Sequence, residues 1–204
     1  ADAGRRPARA GASRGEAAVN INREQIMDDG RVFVGRNPDG VTDHGVDVLR
    51  IDDLEGRPIA VVCCFAAHPV VMGMNSFLLG PDYPGVVRRV VEQTVGGTCL
   101  FLTGAAGNQA TIEFLQDDWN EVERTGGVIG LEAAKTAMGI ETRPHEVIME
   151  TGGSMSNLAL YSKRFHDRPS HRLLDVATRT ATVPLQPLPS LAEAEAQAAD
   201  AQRE

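Results

Sequence analysis

The chain has 204 residues, enough for one domain with a sizeable core. Hydrophobic residues make up 42% and charged residues 24%, a globular balance that excludes wholesale disorder, a collagen-like repeat and a disulfide scaffold. A net charge of -8 excludes the basic profile of a general nucleic-acid binder, and no apolar run approaches the roughly 18 residues of a membrane helix.

Residues 1–17 are rich in Ala, Arg and Gly with little periodicity, and read as a poorly defined N-terminal segment. Residues 1–14 carry four arginines but not the apolar stretch of a secretory signal, which leaves the compartment open, secretion included. Residues 17–21 fit a short strand. Residues 30–45 are turn-rich, with Asp29-Gly30, Asn37-Pro38 and Asp39-Gly40 marking loops. Residues 43–51 alternate, Glu55-Gly56 signals a turn, and 57–67 is apolar on both faces. This pattern predicts a β-hairpin whose second strand is central.

A loop follows over 68–84. Val86, Val87, Val90, Val91 and Val95 then recur at helical spacing, and Gly96-Gly97 ends the run. The next strand is 98–103. Strand 59–67, helix 85–95 and strand 98–103 make a βαβ unit, with parallel strands and a right-handed crossover. The predicted fold class is therefore α/β: a mixed sheet around this central parallel unit, flanked by helices.

Downstream, a helix is predicted over 120–138, with Gly126 and Gly127 each weakening it by about 1 kcal/mol. Strands are predicted over 147–151 and 177–185, with a polar, unassigned stretch at 162–174. Pro184, Pro187 and Pro189 form a rigid connection. A terminal helix over 190–204 opens on Ser190, with Glu193 in capping-box spacing. Its apolar face is thin, and it reads as cut from a larger unit. Cys63, Cys64 and Cys99 lack CxxC spacing and read as small hydrophobes.

The chemistry concentrates after the two parallel strands. His68 follows the first, and the loop Gly104-Ala105-Ala106-Gly107-Asn108 follows the second. Ligand sites in parallel sheets lie beyond the carboxyl ends of strands, so both belong to one edge. Each residue also has a plainer role. His68 fits a hydrogen-bonded structural histidine, Asp82 a helix cap, and Gly104 and Gly107 a tight turn. His44, His145, His166 and His171 show no ligand spacing, and HExxH and GxSxG are absent.

Several short stretches occur in a telling order: Asn20-Ile21-Asn22-Arg23, Asn37-Pro38, Val46-Asp47-Val48-Leu49-Arg50, Gly56-Arg57-Pro58-Ile59-Ala60, Phe65-Ala66-Ala67-His68-Pro69, Asp82-Tyr83-Pro84-Gly85 and Gly104-Ala105-Ala106-Gly107-Asn108. The set resembles the N-terminal domain of the neutral/alkaline non-lysosomal ceramidases, over roughly residues 18–140 and more weakly to Pro189. Residues 18–189 are thus expected to form part of such a domain. The resemblance implies a zinc-dependent amidase cleaving the N-acyl bond of ceramide, or of another small-molecule or lipid amide, with His68 as a zinc ligand and Asp82 in a supporting or capping place. The acidic balance noted above, rather than the resemblance, speaks against a nucleic-acid partner. The family's first histidine motif, its glutamate and tyrosine ligands have no match here. Gly104 stands where the family has a serine, and Asn108 where it has an aspartate. The resemblance thus implies a fragment that is inactive as amidase alone. The alternatives are a degenerate, non-catalytic scaffold and an α/β domain binding a small anion at 104–108.

Overall fold

Valine and isoleucine alternate with polar residues through 46–51 and crowd 58–65, and both stretches extend as strands. The computed structural model describes residues 6–150, 159–166, 177–182, 184 and 187–201. In chain order the elements are β1 (Arg9–Glu16), β2 (Asn20–Ile26), β3 (Val32–Asn37), β4 (Gly45–Asp52), β5 (Pro58–Phe65), α1 (Asp82–Thr94), β6 (Thr98–Thr103), β7 (Gln109–Thr111), α2 (Trp119–Met138), β8 (His145–Glu150), β9 (Leu160–Phe165) and α3 (Leu191–Ala201).

The main sheet has the order β1-β4-β5-β6. The first three strands pair antiparallel, and β5 pairs parallel with β6 from Ala60 opposite Thr98 to Phe65 opposite Thr103. This is the predicted βαβ unit within an α/β fold. A second sheet has the order β3-β2-β7, and β8 and β9 form a separate hairpin. The chain divides into two units, Ala1–Ser170 and His171–Glu204. In the second, α3 opens with the predicted capping box: Glu193 accepts from the Ser190 backbone N–H at 2.8 Å, and the Ser190 hydroxyl accepts from Glu193 N at 3.3 Å.

The core lies between the main sheet and the two long helices. Val46, Val48, Val61, Cys63, Phe65 and Cys99 of the sheet meet Val86, Val87, Val91, Val122, Ile129, Ala133 and Ala137. The helices approach closely because glycine lines their contact. A Cβ on Gly126 would stand 2.5 Å from Val86 Cβ and 2.7 Å from the Tyr83 carbonyl oxygen; one on Gly130 would stand 2.8 Å from Val90 Cβ. Gly127, by contrast, faces open space. The same device seats β1. Cβ atoms on Gly11 and Gly15 would lie 2.5 Å from Ile140 Cγ2 and 2.3 Å from Glu132 Oε1. At the end of α2, Arg50 Nη1 donates to the Ala137 carbonyl at 3.1 Å while its Nε is paired with buried Asp52 at 2.9 Å. A cation there meets the negative end of the helix dipole.

Several elements differ from the sequence expectation. Residues 9–16, read as poorly defined, form β1. Its inward positions are Gly11 and Gly15, so the strand carries no apolar alternation to read. Residues 30–45, read as loops, contain β3, whose Val32, Phe33 and Val34 are all exposed. α1 starts at Asp82 rather than at 85, because Pro84 sits in the first turn, where its missing N–H has no partner to lose. Residues 177–182, expected in a strand, have no regular structure. The unassigned stretch from 162 begins within β9, and its remainder after His166 lies outside the described residues, as does His171.

Cys63 and Cys99 are buried, and Cys64 is half-buried on the opposite sheet face beside Asp47 and Leu102. Burial pushes the Cys63 thiol up to about 12 and the Cys99 thiol to about 11. Both stay protonated in the fold while the unfolded thiols ionise near their ordinary value of 9.0. Unfolding then releases protons, so their contribution to stability is complete below pH 9 and is lost as pH rises toward 12. With a disulfide-exchange reagent at pH 8, Cys64 is expected to react first, and Cys63 and Cys99 at the rate of unfolding.

The glycine contacts give opposite signs for neighbouring substitutions. Gly127→Ala is expected to stabilise α2 by about 0.5–1 kcal/mol through helix propensity. Gly126→Val, overpacked against Val86 and Tyr83, is expected to cost about 1–3 kcal/mol. Urea unfolding of the two variants checks the contrast.

Candidate functional site

The parallel register brings the two strand ends level, so the segments after Phe65 and Thr103 leave the same edge. Gly104 N donates to the Phe65 carbonyl at 3.0 Å, and His68 N donates to the Gln109 carbonyl at 3.1 Å. His68 also bridges to Ala110, the middle residue of β7. The ring is fixed as well: His68 Nδ1 lies 2.7 Å from the Ala106 carbonyl oxygen. A carbonyl accepts and cannot donate, so Nδ1 carries a proton, and in the neutral ring the lone pair is on Nε2. This is the tautomer and second-atom support that metal-binding and proton-accepting histidines use.

Asp82 and Tyr83 hold the segment around His68 from below. Tyr83, fully buried, donates its hydroxyl to the Ala67 carbonyl at 2.8 Å. Burial, with the Asp82 charge beside it, pushes that phenol well above its ordinary value and keeps it a donor. Asp82 has a left-handed backbone (φ 52) at the first position of α1, and Pro81 in the capping place makes no side-chain bond. The Asp82 carboxylate instead accepts three backbone N–H groups: Tyr83 at 2.7 Å, Met72 at 3.0 Å and Val71 at 3.3 Å. One of these is in the helix and two belong to the segment after His68. The carboxylate is therefore both a cap and a clasp between strand end and helix start.

The 104–108 loop is anchored through its carbonyls. Arg23 donates Nε and Nη2 to the Gly107 carbonyl at 3.1 and 2.9 Å, and its backbone N–H meets the Asn108 carbonyl at 2.8 Å. Gln109 Nε2 donates to the Ala105 carbonyl at 3.0 Å. Behind the loop lies a buried polar network. Asn20 Nδ2 donates to the carbonyls of Asp43 at 2.7 Å and Ala66 at 2.8 Å, and lies 3.2 Å from Gln109 Oε1. Gln109 Oε1 also accepts from Asp43 N at 2.7 Å. His44 Nδ1 donates to Asn20 Oδ1 at 2.7 Å. A position for Cβ at Gly104 lies 3.3 Å from Ala66 Cα, so a larger residue there is crowded.

His68, Gly104, Gly107 and Asn108 thus share one edge, with Asp82 beneath it. His44 is tied to the network behind. His145 and His166 lie on or beside the β8–β9 hairpin, with the Arg143 carbonyl and Glu146 as their neighbours. Gln109 and Asn20 are the structural residues that position this edge. Gln109 gave no signal in the sequence, and Asn20 gave one only through its place in the Asn20-Ile21-Asn22-Arg23 stretch. Among the described residues, no group of three His, Cys, Asp or Glu is placed to hold a metal ion. His68 alone does not fit a zinc centre with three protein ligands.

Two solved structures are similar to this chain in fold. The first, titled "Ceramidase complexed with C2", superposes with a TM-score of 0.54 at 21% identity, covering 69% of this chain and 24% of that one. This chain shares its fold with part of a ceramidase. The second, a neutral ceramidase from Pseudomonas aeruginosa, gives a TM-score of 0.49 at 24% identity over the same shares of the two chains. The chain therefore spans about a quarter of the length of these ceramidases. No family model and no curated protein matches the sequence.

The clasp makes a quantitative expectation. Asp82→Asn turns one acceptor oxygen into an amide donor facing an N–H, and is expected to cost about 1–3 kcal/mol. Tyr83→Phe leaves the Ala67 carbonyl without its partner in the interior, and is expected to cost about 1–2 kcal/mol. Urea unfolding measures both, and the His68 ring signals in an NMR spectrum report whether the edge keeps its geometry.

Proposed function

We propose that this chain is a piece of a ceramidase-like hydrolase that cleaves the N-acyl bond of a lipid amide, with His68 as one ligand of a zinc ion. The observation that carries the reading is the His68 ring. Its Nδ1 proton is spent on the Ala106 carbonyl and its Nε2 lone pair is left at the carboxyl edge of two parallel strands, in a fold shared with a ceramidase. A zinc ion at Nε2 would take its remaining ligands from outside the described residues. The role of this chain's own residues is to hold that imidazole: Asp82 and Tyr83 fix the segment that bears it, and Arg23 and Gln109 fix the loop that orients its ring.

A second reading, a scaffold without catalysis, draws support from Gly104. The resemblance places a serine there, and a Cβ at this position would press on Ala66 at 3.3 Å. The two readings part in one experiment. The complete protein that carries this chain is assayed for zinc content and for hydrolysis of N-acyl sphingosines and simple fatty amides, before and after EDTA. The expected result is chelator-sensitive turnover, with loss of zinc and at least a hundredfold loss of rate in His68→Ala. Residues 1–204 alone are expected to show no turnover. Unchanged zinc and rate in His68→Ala, or turnover by the 204-residue chain, overturns the first reading. A complete protein that folds, lacks zinc and turns over nothing supports the second.

A further inference from the structure

The segment that leaves His68 touches the core at its start, where Val71 is buried and Met72 packs beside it, and then turns outward. From Pro69 to Pro81 it contains no charged residue. Its first residues are tied down: Leu115 N donates to the Val70 carbonyl and Gln116 N to the Val71 carbonyl, both at 2.9 Å. Its far end is held by the Asp82 clasp. Between Gly73 and Gly80 it presents large apolar side chains to water: Met74 is 86% exposed, Phe77 97%, Leu78 80%, and Leu79 wholly so. Scattered exposed leucines need no explanation, but four large apolar groups within six residues are another matter. At such exposure these side chains make almost no contact with the other described residues, and together they form an apolar tip.

We propose that the Met74–Leu79 tip is an anchor that inserts into a neutral or zwitterionic lipid surface beside the His68 site. The inference rests on the lipid-amide reading in supposing that lipid is what this edge meets. Three observations choose lipid as the occupant. The tip carries no charge of its own, and its amide turns back to the base, where Asn75 Nδ2 donates to Asp117 Oδ2 at 2.7 Å, so the outward surface is left to Met74, Phe77, Leu78 and Leu79. Trp119, half-exposed, flanks its base: a Cβ on Gly80 would lie 3.5 Å from the Trp119 ring. Tryptophan beside an apolar wedge is the pairing found at the headgroup level of membranes. The charges near the base are acidic, Asp117 and Asp118, in a chain of net charge -8, which disfavours anionic headgroups and leaves neutral or zwitterionic ones. Both ends of the tip are fixed to the site edge, so insertion would bring the surface to His68 without refolding the sheet.

The chain has one tryptophan, so its fluorescence reports the base of the tip directly. The complete protein that carries this chain is mixed with phosphatidylcholine vesicles and followed by co-sedimentation, and the 204-residue chain, once circular dichroism shows it folded, is followed by Trp119 emission with brominated lipid as quencher. Expected are sedimentation with the vesicles, a blue shift, quenching by bromines near the headgroups, and no weakening at high salt. A Phe77→Ser/Leu78→Ser/Leu79→Ser variant, altered at exposed positions and checked by circular dichroism, is expected to bind at least tenfold more weakly. No binding by the unaltered chain, equal binding by the variant, or binding that needs anionic lipid and fails in salt each overturns the proposal. So does self-association of the unaltered chain that the variant abolishes, since the tip is then a protein contact. None of these readouts uses hydrolysis. Vesicle binding without amidase activity sinks the proposed reaction and keeps the anchor, and activity on soluble short-chain amides without vesicle binding does the reverse.

Discussion

Parallel pairing between β5 and β6 is the constraint on which both the core and the site depend. It sets Phe65 level with Thr103, so two connections leave the sheet at one height and one edge. It also demands a crossover, and the crossover helix α1 supplies the valines that close the core. A slip of one residue would turn Val61, Cys63 and Phe65 away from the helices and bring Ala60, Val62 and Cys64 toward them. The same slip would separate His68 from the Ala106 carbonyl. Packing and site geometry are thus two readings of one register.

What the register leaves undone is completed by buried polar groups, each matched to a backbone partner. Asn20, Gln109, Asp82 and Tyr83 sit below the surface and tie loops to the sheet through carbonyls and N–H groups. Such bonds add modestly to net stability, but losing one partner exposes the other to the full penalty of burial. This makes the edge stiff and specific in geometry. The helices contribute a different kind of specificity: Gly126 and Gly130 admit one close approach, and side chains there would push α1 and α2 apart.

Legibility in the sequence follows from what each residue buries. The βαβ unit was readable because its apolar residues point into the core at the periods of a strand and a helix. β1 was not, because its inward positions are glycines that give way to α2 and Ile140. β3 was not, because its apolar residues are exposed, and exposed strands carry no one-sided pattern. The expected strand over 177–185 shows the reverse error in its described part: residues 177–182 alternate in sequence but have no regular structure. At the site, position was legible and support was not. His68 and the 104–108 loop came from the end of two strand patterns, whereas Gln109 is a polar residue in a strand of three. Asp82 was legible as a residue before a helix; its reach to Val71 and Met72 across the loop was not, because that contact is long-range.

The bond from His68 to Ala106 also bears on what a ligand would meet at this edge. The Ala106 oxygen receives two donors, His68 Nδ1 and the Gln109 N–H at 3.0 Å, so the ring and the start of β7 share one acceptor. A ligand reaching Nε2 meets a ring already aimed, and the rotational freedom that an untethered imidazole would lose on binding has been given up in folding.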